Sequence, residues 1–262
     1  MNLDVITHTP ERATHDTPVL FVHGAWHGAW CWEEYFLPYF AGRGYAAHAL
    51  SLRGHGSSER PARLFTTRID DYVSDVDQVF AQLSAAPVLV GHSMGGLVVQ
   101  KYLEKNDAPA AVLLASVPVG GALGTTLRIA GRHPLAFIKA NLLLSLYPII
   151  GSPALTREAF FSSDISPEKL EGYFHHMQDE SYFAFLDMLF SLPKPYNVNT
   201  DVLVLGAAGD TIFTPDEVVA TAEAYGTTAE IFPGMAHDMM LEGHWQKVAD
   251  RIIAWLRQMN IS

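Results

Sequence analysis

The stretch Gly91-His92-Ser93-Met94-Gly95 lies between an apolar run at residues 87–90 and a helix-like segment at residues 96–103. A strand, a G-x-S-x-G turn and a helix in this order predict a nucleophile elbow, which lifts the serine oxygen above the end of a sheet. Glycine is favoured at both ends because the turn brings backbone against backbone, and a Cβ there would clash. Ser93 is therefore the candidate nucleophile, and the alternative is an ordinary glycine-rich turn.

Short apolar runs recur along the chain, and patterns typical of helices separate them. The strand candidates are residues 19–22, 45–50, 87–90, 111–115, 202–205 and 229–232. Apolar residues at helical spacing predict helices over residues 69–83 and 245–259. The capping-box pattern at residues 214–217 predicts the start of another helix. Strands that alternate with helices favour an α/β fold with a mostly parallel sheet flanked by helices.

The pattern changes between residues 119 and 196, where helical segments rich in aromatic residues, Leu and Met are interrupted by proline. An α-helical insertion between two strands explains this change, and over the carboxyl end of the sheet it would form a cap. The expected organisation is a core of residues 1–118 and 197–262 with an inserted helical cap at residues 119–196. Leu142 and Phe183 are expected to contact substrate, with packing inside the cap as the alternative.

Composition and charge narrow the function classes. The chain has 262 residues, of which 49% are hydrophobic, and a formal net charge of -11, which argues against a nucleic-acid surface. Cys31 is the only cysteine, so no intrachain disulfide is expected. The first residues lack a secretory pattern, which makes a cytoplasmic location the default expectation. The most apolar window, residues 141–150, is about half the length that crosses a bilayer and contains Pro148, so no stable membrane insertion is expected.

A serine nucleophile needs a base to take its proton and a carboxylate to orient that base. With this type of elbow, both partners follow the serine along the chain, in loops after strands. Asp210 comes directly after the strand candidate 202–205, and His237 comes after the strand candidate 229–232. The loop at residues 116–118 offers no carboxylate, and Asp238 is too close in sequence to orient the ring of His237. Asp210 and His237 therefore complete the candidate triad.

The other histidines downstream of Ser93 are weaker candidates for the base. Three of them belong to the predicted cap and one opens the last helix; they are His133, His175, His176 and His244. His175 and His176 are adjacent, so on a helix they point apart and make a poor metal pair. No metal site is expected from these residues.

A tetrahedral intermediate also needs hydrogen-bond donors for its negative oxygen. The elbow predicts the backbone N–H of Met94 as one donor. The second is assigned to the N–H of Ala25, with Trp26 as the neighbouring choice, because Gly24 lets this loop approach closely. Trp26 belongs to a tryptophan-rich loop after a strand and is expected to contact substrate.

The chain resembles the capped members of the α/β-hydrolase superfamily over nearly its full length. The matching pieces, in order, are His23-Gly24, the segment Arg53-Gly54-His55-Gly56-Ser57, the elbow, Gly209-Asp210 and the His237 loop. The tryptophan-rich loop is also similar to that of plant methyl esterases and the related hydroxynitrile lyases. Those lyases carry threonine and lysine where this chain has Gly24 and Asp238, so the resemblance implies ester hydrolysis rather than cyanohydrin cleavage.

These observations predict a serine carboxylesterase that forms an acyl-enzyme on Ser93 and acts on small to medium hydrophobic esters without a metal or organic cofactor. The same triad also serves carbon–carbon bond hydrolases, lactonases, lipases, acyl transferases and cofactor-free perhydrolases. A small-molecule receptor with low turnover on the same scaffold is a further alternative. The sequence does not predict the oligomeric state.

Overall fold

Seven strands form one sheet in the computed structural model, which describes residues 1–261. The strands are β1 (Val5–His8), β2 (Val19–Val22), β3 (Ala47–Leu50), β4 (Val88–His92), β5 (Ala111–Leu114), β6 (Val202–Ala207) and β7 (Ala229–Phe232). Their order in the sheet is β1-β3-β2-β4-β5-β6-β7. Only β1 runs antiparallel to its neighbour among the described strands. The predicted, mostly parallel sheet is confirmed, while the antiparallel edge strand β1 was not predicted.

The parallel register brings the carboxyl ends of the central strands together. Val22 at the end of β2 pairs with Gly91 in β4, His92 pairs with Leu114 in β5, and Leu114 pairs with Leu205 in β6. The loops that follow these strands therefore meet at one edge of the sheet, which is where open α/β sheets bind ligands.

Helices cover both faces of the sheet. They are α1 (Trp30–Glu33), α2 (Phe36–Gly42), α3 (Ile69–Phe80), α4 (Met94–Leu103), α5 (Leu123–Arg132), α6 (Pro134–Leu143), α7 (Tyr147–Ile150), α8 (Pro153–Phe160), α9 (Pro167–His176), α10 (Tyr182–Phe190), α11 (Pro215–Ala224) and α12 (Trp245–Gln258). Successive strand residues point to opposite faces, so Val19 and Phe21 belong to one apolar core while Leu20 and Val22 belong to the other. All four are buried, as a strand covered on both faces requires.

The segment between β5 and β6 is helical, with α5 to α10 and no strand in its described residues. We call residues 119–196 the cap segment. Pro134, Pro153 and Pro167 each occupy the first position of a helix, where the missing N–H of proline costs nothing. Proline therefore begins three of the helices of this segment, α6, α8 and α9. The expected limit at 196/197 falls inside the 3₁₀ turn Pro195–Asn197, and the division into core and cap remains a prediction. Within the part of the chain that the structure describes, no helix is both long and apolar enough to cross a bilayer.

Candidate active site

Ser93 occupies a strained turn between β4 and α4. Its backbone φ is 52° and its ψ is -119°, values that an L-residue adopts rarely and that recur at functional sites. A Cβ on Gly95 would lie 2.4 Å from the carbonyl oxygens of Val22 and His23, and a Cβ on Gly91 would lie 2.5 Å from the carbonyl oxygen of Gly95. The elbow therefore requires glycine at both ends for steric reasons.

His237 and Asp210 meet beside the elbow. His237 follows β7 and Asp210 follows β6, and the distance from His237 Nδ1 to Asp210 Oδ2 is 2.8 Å. The backbone N–H groups of Ile212 and Phe213 donate to Asp210 Oδ1 over 2.7 and 3.1 Å, which fixes the carboxylate. Because Nδ1 of His237 faces a carboxylate, it carries the ring proton and leaves Nε2 as an acceptor.

Ser93 and His237 line the same cavity, whose walls come from loops of the sheet and from the cap segment. Ala25 and Trp26 also line it. Most of the other lining side chains are apolar and lie in the cap segment, including Ile129, Phe137, Leu146, Ile149, Phe185 and Met188. The cavity volume is about 70 Å³. At roughly 10–15 Å³ for each water-sized group, it holds about five to seven such groups.

Two residues that the sequence analysis expects to contact substrate lie outside this cavity. Leu142 has 79% of its surface exposed and does not line the cavity, whereas its neighbour Asn141 does. Phe183 packs edge-on against Phe65, at 6.2 Å between ring centroids, and also lies outside the cavity. Successive residues on a helix point about 100° apart, so neither side chain shares the face of α6 or α10 that lines the cavity.

The alpha/beta hydrolase family matches residues 19–251, a span that includes the elbow, Asp210 and His237. The chain belongs to the alpha/beta hydrolase family.

Relatives of this alpha/beta hydrolase include esterases. The chain is 28% identical over 162 residues to methylesterase 2 of Arabidopsis thaliana, a match that covers 58% of each protein. It is 36% identical over 103 residues to salicylic acid-binding protein 2 of Nicotiana tabacum, covering 37% of this chain and 38% of that one. These matches span between about two fifths and three fifths of the relatives' length. The structure of a Paleococcus ferrophilus monoacylglycerol lipase aligns with a TM-score of 0.74 at 21% identity, covering 99% of this chain and 100% of that one, which shows a shared fold.

The loop at residues 23–27, which we call the β2 loop, lies against the elbow of this alpha/beta hydrolase. A Cβ on Gly24 would lie 2.9 Å from Ser93 Cβ and from His92 Nδ1. Trp26 has a positive φ of 66°, a conformation that is unusual for a residue with a side chain. Met94 is the first residue of α4, so its N–H has no acceptor within the helix. The amides of Ala25 and Met94 therefore come from two segments that meet at Ser93.

A buried polar cluster, which the sequence did not predict, lies beside the candidate triad. His27 Nε2 donates to Asp238 Oδ2 over 2.9 Å, and His27 Nδ1 donates to the carbonyl oxygen of Ala25 over 2.7 Å. His92 Nε2 donates to the carbonyl oxygen of His237 over 3.1 Å. The three side chains are each 1% exposed or less. The cluster thus joins the β2 loop, the elbow and the His237 loop.

Charge in this cluster is divided unequally between the side chains. Burial alone would lower the pKa of His27, but the Asp238 carboxylate raises it above the ordinary histidine value. Burial opposes ionisation of Asp238 as well, yet the adjacent His27 lowers its pKa. Burial, helped by the nearby His237, lowers the pKa of His92 to about 3. His27 and Asp238 therefore form an ion pair, and His92 is neutral.

Three residues of the site bring possible metal ligands together: atoms of His92, His237 and Asp238 lie within 4.8 Å of one another. Hydrogen bonds already engage each of these side chains, since His237 binds Asp210, Asp238 binds His27, and His92 binds a backbone carbonyl. This network leaves His92 Nδ1 and Asp238 Oδ1 without a hydrogen-bond partner among the described residues.

A second buried carboxylate connects the cap segment to the core. Glu180 Oε1 accepts a hydrogen bond from the hydroxyl of Tyr72 over 2.5 Å, and Glu180 Oε2 lies 3.2 Å from His55 Nε2. Burial alone would lower the pKa of His55, but Glu180 raises it. His55 belongs to the glycine-rich segment after β3, so this pair ties that segment to the chain just before α10.

Proposed function

We propose that the chain is a serine hydrolase that cleaves carboxylic esters with a small apolar acyl group. The observation that carries the proposal is the apolar cavity lined by both Ser93 and His237, with Asp210 bound 2.8 Å from His237 Nδ1. A hydroxyl, a base with a free Nε2 and an orienting carboxylate are the parts that acyl transfer to serine needs.

In the proposed mechanism, His237 Nε2 takes the proton of the Ser93 hydroxyl as Ser93 Oγ attacks the ester carbonyl carbon. The C–O bond of the ester then breaks, and His237 returns the proton to the departing alcohol. Water, activated by the same nitrogen, attacks the acyl-enzyme and releases the carboxylic acid. Asp210 stays ionised, holds His237 in the required tautomer and stabilises its protonated form. Its two backbone donors keep it in place during this cycle.

The oxyanion of each tetrahedral intermediate would be held by the N–H groups of Ala25 and Met94. Both are placed close to the nucleophile, because Gly24 packs against Ser93 and Met94 directly follows it. A preorganised donor of this kind contributes about 2.7–4 kcal/mol to the stabilisation of the transition state. We assign the two amides to this role on that basis.

Two features favour hydrolysis over cyanohydrin cleavage. Gly24 stands where the lyases carry threonine, and the 2.9 Å approach of a Cβ at this position to Ser93 and His92 leaves no room for a side chain. Asp238 stands where they carry lysine, and its carboxylate is fully buried and bonded to His27. This site therefore offers no lysine ammonium for a cyanide leaving group.

Activity-based labelling tests the proposal. We expect a fluorophosphonate to label Ser93 and short p-nitrophenyl esters to be hydrolysed, with both reactions lost in Ser93→Ala. Ser116→Ala is the matched control, because Ser116 is also buried but binds Gln100 and does not line the cavity. Labelling at another residue, or ester turnover that survives Ser93→Ala, would refute the assignment.

The second candidate function is that of a binding protein with little turnover. The similarity to a protein named salicylic acid-binding protein 2 supports this candidate. A ligand of that kind would occupy the same apolar cavity. One experiment distinguishes the two functions. For a receptor, the ligand should raise the Tm, and the turnover of the wild type on the ester panel should be no greater than that of Ser93→Ala.

A further inference from the structure

Two buried histidines donate hydrogen bonds to backbone carbonyl oxygens of the β2 loop. His23 Nδ1 donates to the carbonyl oxygen of Gly24 over 2.8 Å, and His27 Nδ1 donates to that of Ala25 over 2.7 Å. In a trans peptide the N–H points away from the C=O. Anchoring these two carbonyls therefore fixes the opposite direction for the N–H groups of Ala25 and Trp26, the two residues of the loop that line the cavity.

The two histidines differ in charge. His23 Nε2 accepts a hydrogen bond from the N–H of Leu52 over 3.0 Å, so His23 is neutral with its proton on Nδ1. Both ring nitrogens of His27 face acceptors, a carbonyl oxygen and a carboxylate, so both carry protons. A protonated histidine that is 1% exposed needs a counterion, and Asp238 supplies it.

Asp238 is also fixed to the other side of the site. It directly follows His237, and its backbone N–H donates to the carbonyl oxygen of Phe160 over 3.0 Å. Phe160 lines the cavity and packs 5.9 Å from the His237 ring. The contact between His27 and Asp238 joins residues 211 positions apart in the chain. It therefore connects the loop that would hold the oxyanion with the loop that carries the base.

We propose that His27 and Asp238 are positioning residues. Their buried ion pair fixes the Ala25–Trp26 peptide relative to His237, and with it the course of the β2 loop that presents the Ala25 and Trp26 amides. The inference rests on the proposed function, because the direction of these amides affects the rate only if an oxyanion forms beside them. Neither side chain lines the cavity, so both act through the β2 loop. Loss of the pair lowers kcat and leaves KM nearly unchanged, since the oxyanion exists only in the transition state and intermediates.

Asp238→Asn tests the charge of the pair. Without the carboxylate, His27 loses its second proton, so the net charge near His237 does not change. We expect kcat to fall about 10- to 100-fold and KM to stay within about twofold of the wild-type value. The loss of kcat should be smaller than the roughly 10²–10³-fold effect of removing an oxyanion donor, because the donor is displaced and not removed. The acidic limb of the pH profile of kcat/KM should stay in place. Wild-type kcat, or a limb that moves by more than about half a pH unit, would overturn the inference, because Asp238 would then be dispensable or act on His237 itself.

Two substitutions of His27 separate its two contacts. The amide nitrogen of asparagine reaches the position of histidine Nδ1, and that of glutamine reaches the position of Nε2. We therefore expect His27→Asn, which can still donate to the Ala25 carbonyl, to retain more kcat than His27→Gln. Equal losses, or a greater loss in His27→Asn, would contradict a role through the β2 loop.

Asp75→Asn is the matched control for removal of a buried charge. Asp75 is 1% exposed and binds Arg53 over 2.7 Å, and it does not line the cavity. We expect this variant to lower Tm without lowering kcat, once rates are normalised to the endpoint of fluorophosphonate labelling. A comparable loss of kcat in Asp75→Asn would mean that any buried charge pair has this effect, and the inference would fail.

Nuclear magnetic resonance gives a readout that does not depend on turnover. At pH 6.5, the ring of His27 should carry protons on both nitrogens in most wild-type molecules and on one nitrogen in Asp238→Asn. A neutral His27 in the wild type would refute the ion pair. Failure of the proposed function would instead appear as wild-type turnover no greater than that of Ser93→Ala, so the two failures are distinguishable.

Discussion

His92 should make the folded protein sensitive to mild acid. Its pKa in the folded chain is about 3, because burial and the nearby His237 both disfavour its charged form. In the unfolded chain a histidine titrates near 6.5. Between these two values the unfolded state binds one more proton than the folded state, so the free energy of unfolding falls as the pH falls.

The size of the effect follows from the same two values. Each pH unit below about 6.5 costs about 1.4 kcal/mol from this one group, so acidification from pH 7.5 to pH 5 removes about 2 kcal/mol of stability. The whole contribution, reached near pH 3, is about 5 kcal/mol. This is comparable to the entire stability of many domains, which is about 5–15 kcal/mol.

His92→Gln isolates this contribution, because a glutamine amide can still donate to the His237 carbonyl and does not titrate. We expect urea unfolding to show that the variant loses about 2 kcal/mol less than the wild type between pH 7.5 and pH 5. Titratable groups that do not interact with His92 are present in both proteins and cancel in the comparison. His244→Gln, at an exposed histidine, is the control and should follow the wild-type curve. Parallel curves for the wild type and His92→Gln would refute the argument.

Further expectations concern catalysis and specificity. Asp210→Asn should lower kcat on a p-nitrophenyl ester by about 10³–10⁴-fold at neutral pH, because the amide favours the wrong histidine tautomer, and a loss under tenfold would contradict its role. Gly24→Ala should lower kcat at least about tenfold through overpacking against Ser93. Gly42→Ala should not change kcat, because the new Cβ would meet no atom within 4 Å apart from its chain neighbours and the backbone of its own helix. In a series of linear esters, kcat/KM should peak at acyl groups of roughly four to six carbons, and a maximum at long chains would refute the cavity size. Leu142→Ser should leave KM unchanged, whereas Phe185→Ala, inside the cavity, should alter it.

The sequence predicted the elbow and the sheet well because their causes are local. The glycines at 91 and 95 are required by backbone atoms within the turn and at the end of β2, and a five-residue pattern records that requirement. Buried parallel strands need continuous apolar runs, which are visible without knowing the fold. The sequence did not predict the edge strand β1, because Val5–His8 is only partly buried and mixes polar with apolar residues.

The cap contacts were harder to predict for a physical reason. Helix α6 is apolar around most of its circumference, so its sequence does not show which face covers the cavity. Leu142 and Asn141 are neighbours, yet the polar residue lines the cavity and the leucine faces solvent. Only the packing of α6 against the other helices decides this. The same reasoning explains why Phe183 lies outside the cavity while Tyr182 and Phe185 line it.

The sequence did not predict the buried cluster because His27, His92 and Asp238 are distant from one another in the chain. In the structure, however, the three residues are placed in a similar way relative to the cavity. In each of three loops, a residue that lines the cavity lies next to, or two positions from, a buried polar residue: Ala25 and His27, Ser93 and His92, His237 and Asp238. In an extended or tightly turned backbone, side chains so close in sequence often point in different directions, one into the cavity and the other into the protein. The buried polar residue of each pair binds another such residue or a backbone group of a neighbouring loop. A displacement of one loop therefore disturbs the hydrogen bonds of the others. The cluster therefore couples the three segments that are proposed to carry the base, the nucleophile and the oxyanion donors. A substitution inside it should change the chemistry without touching the substrate.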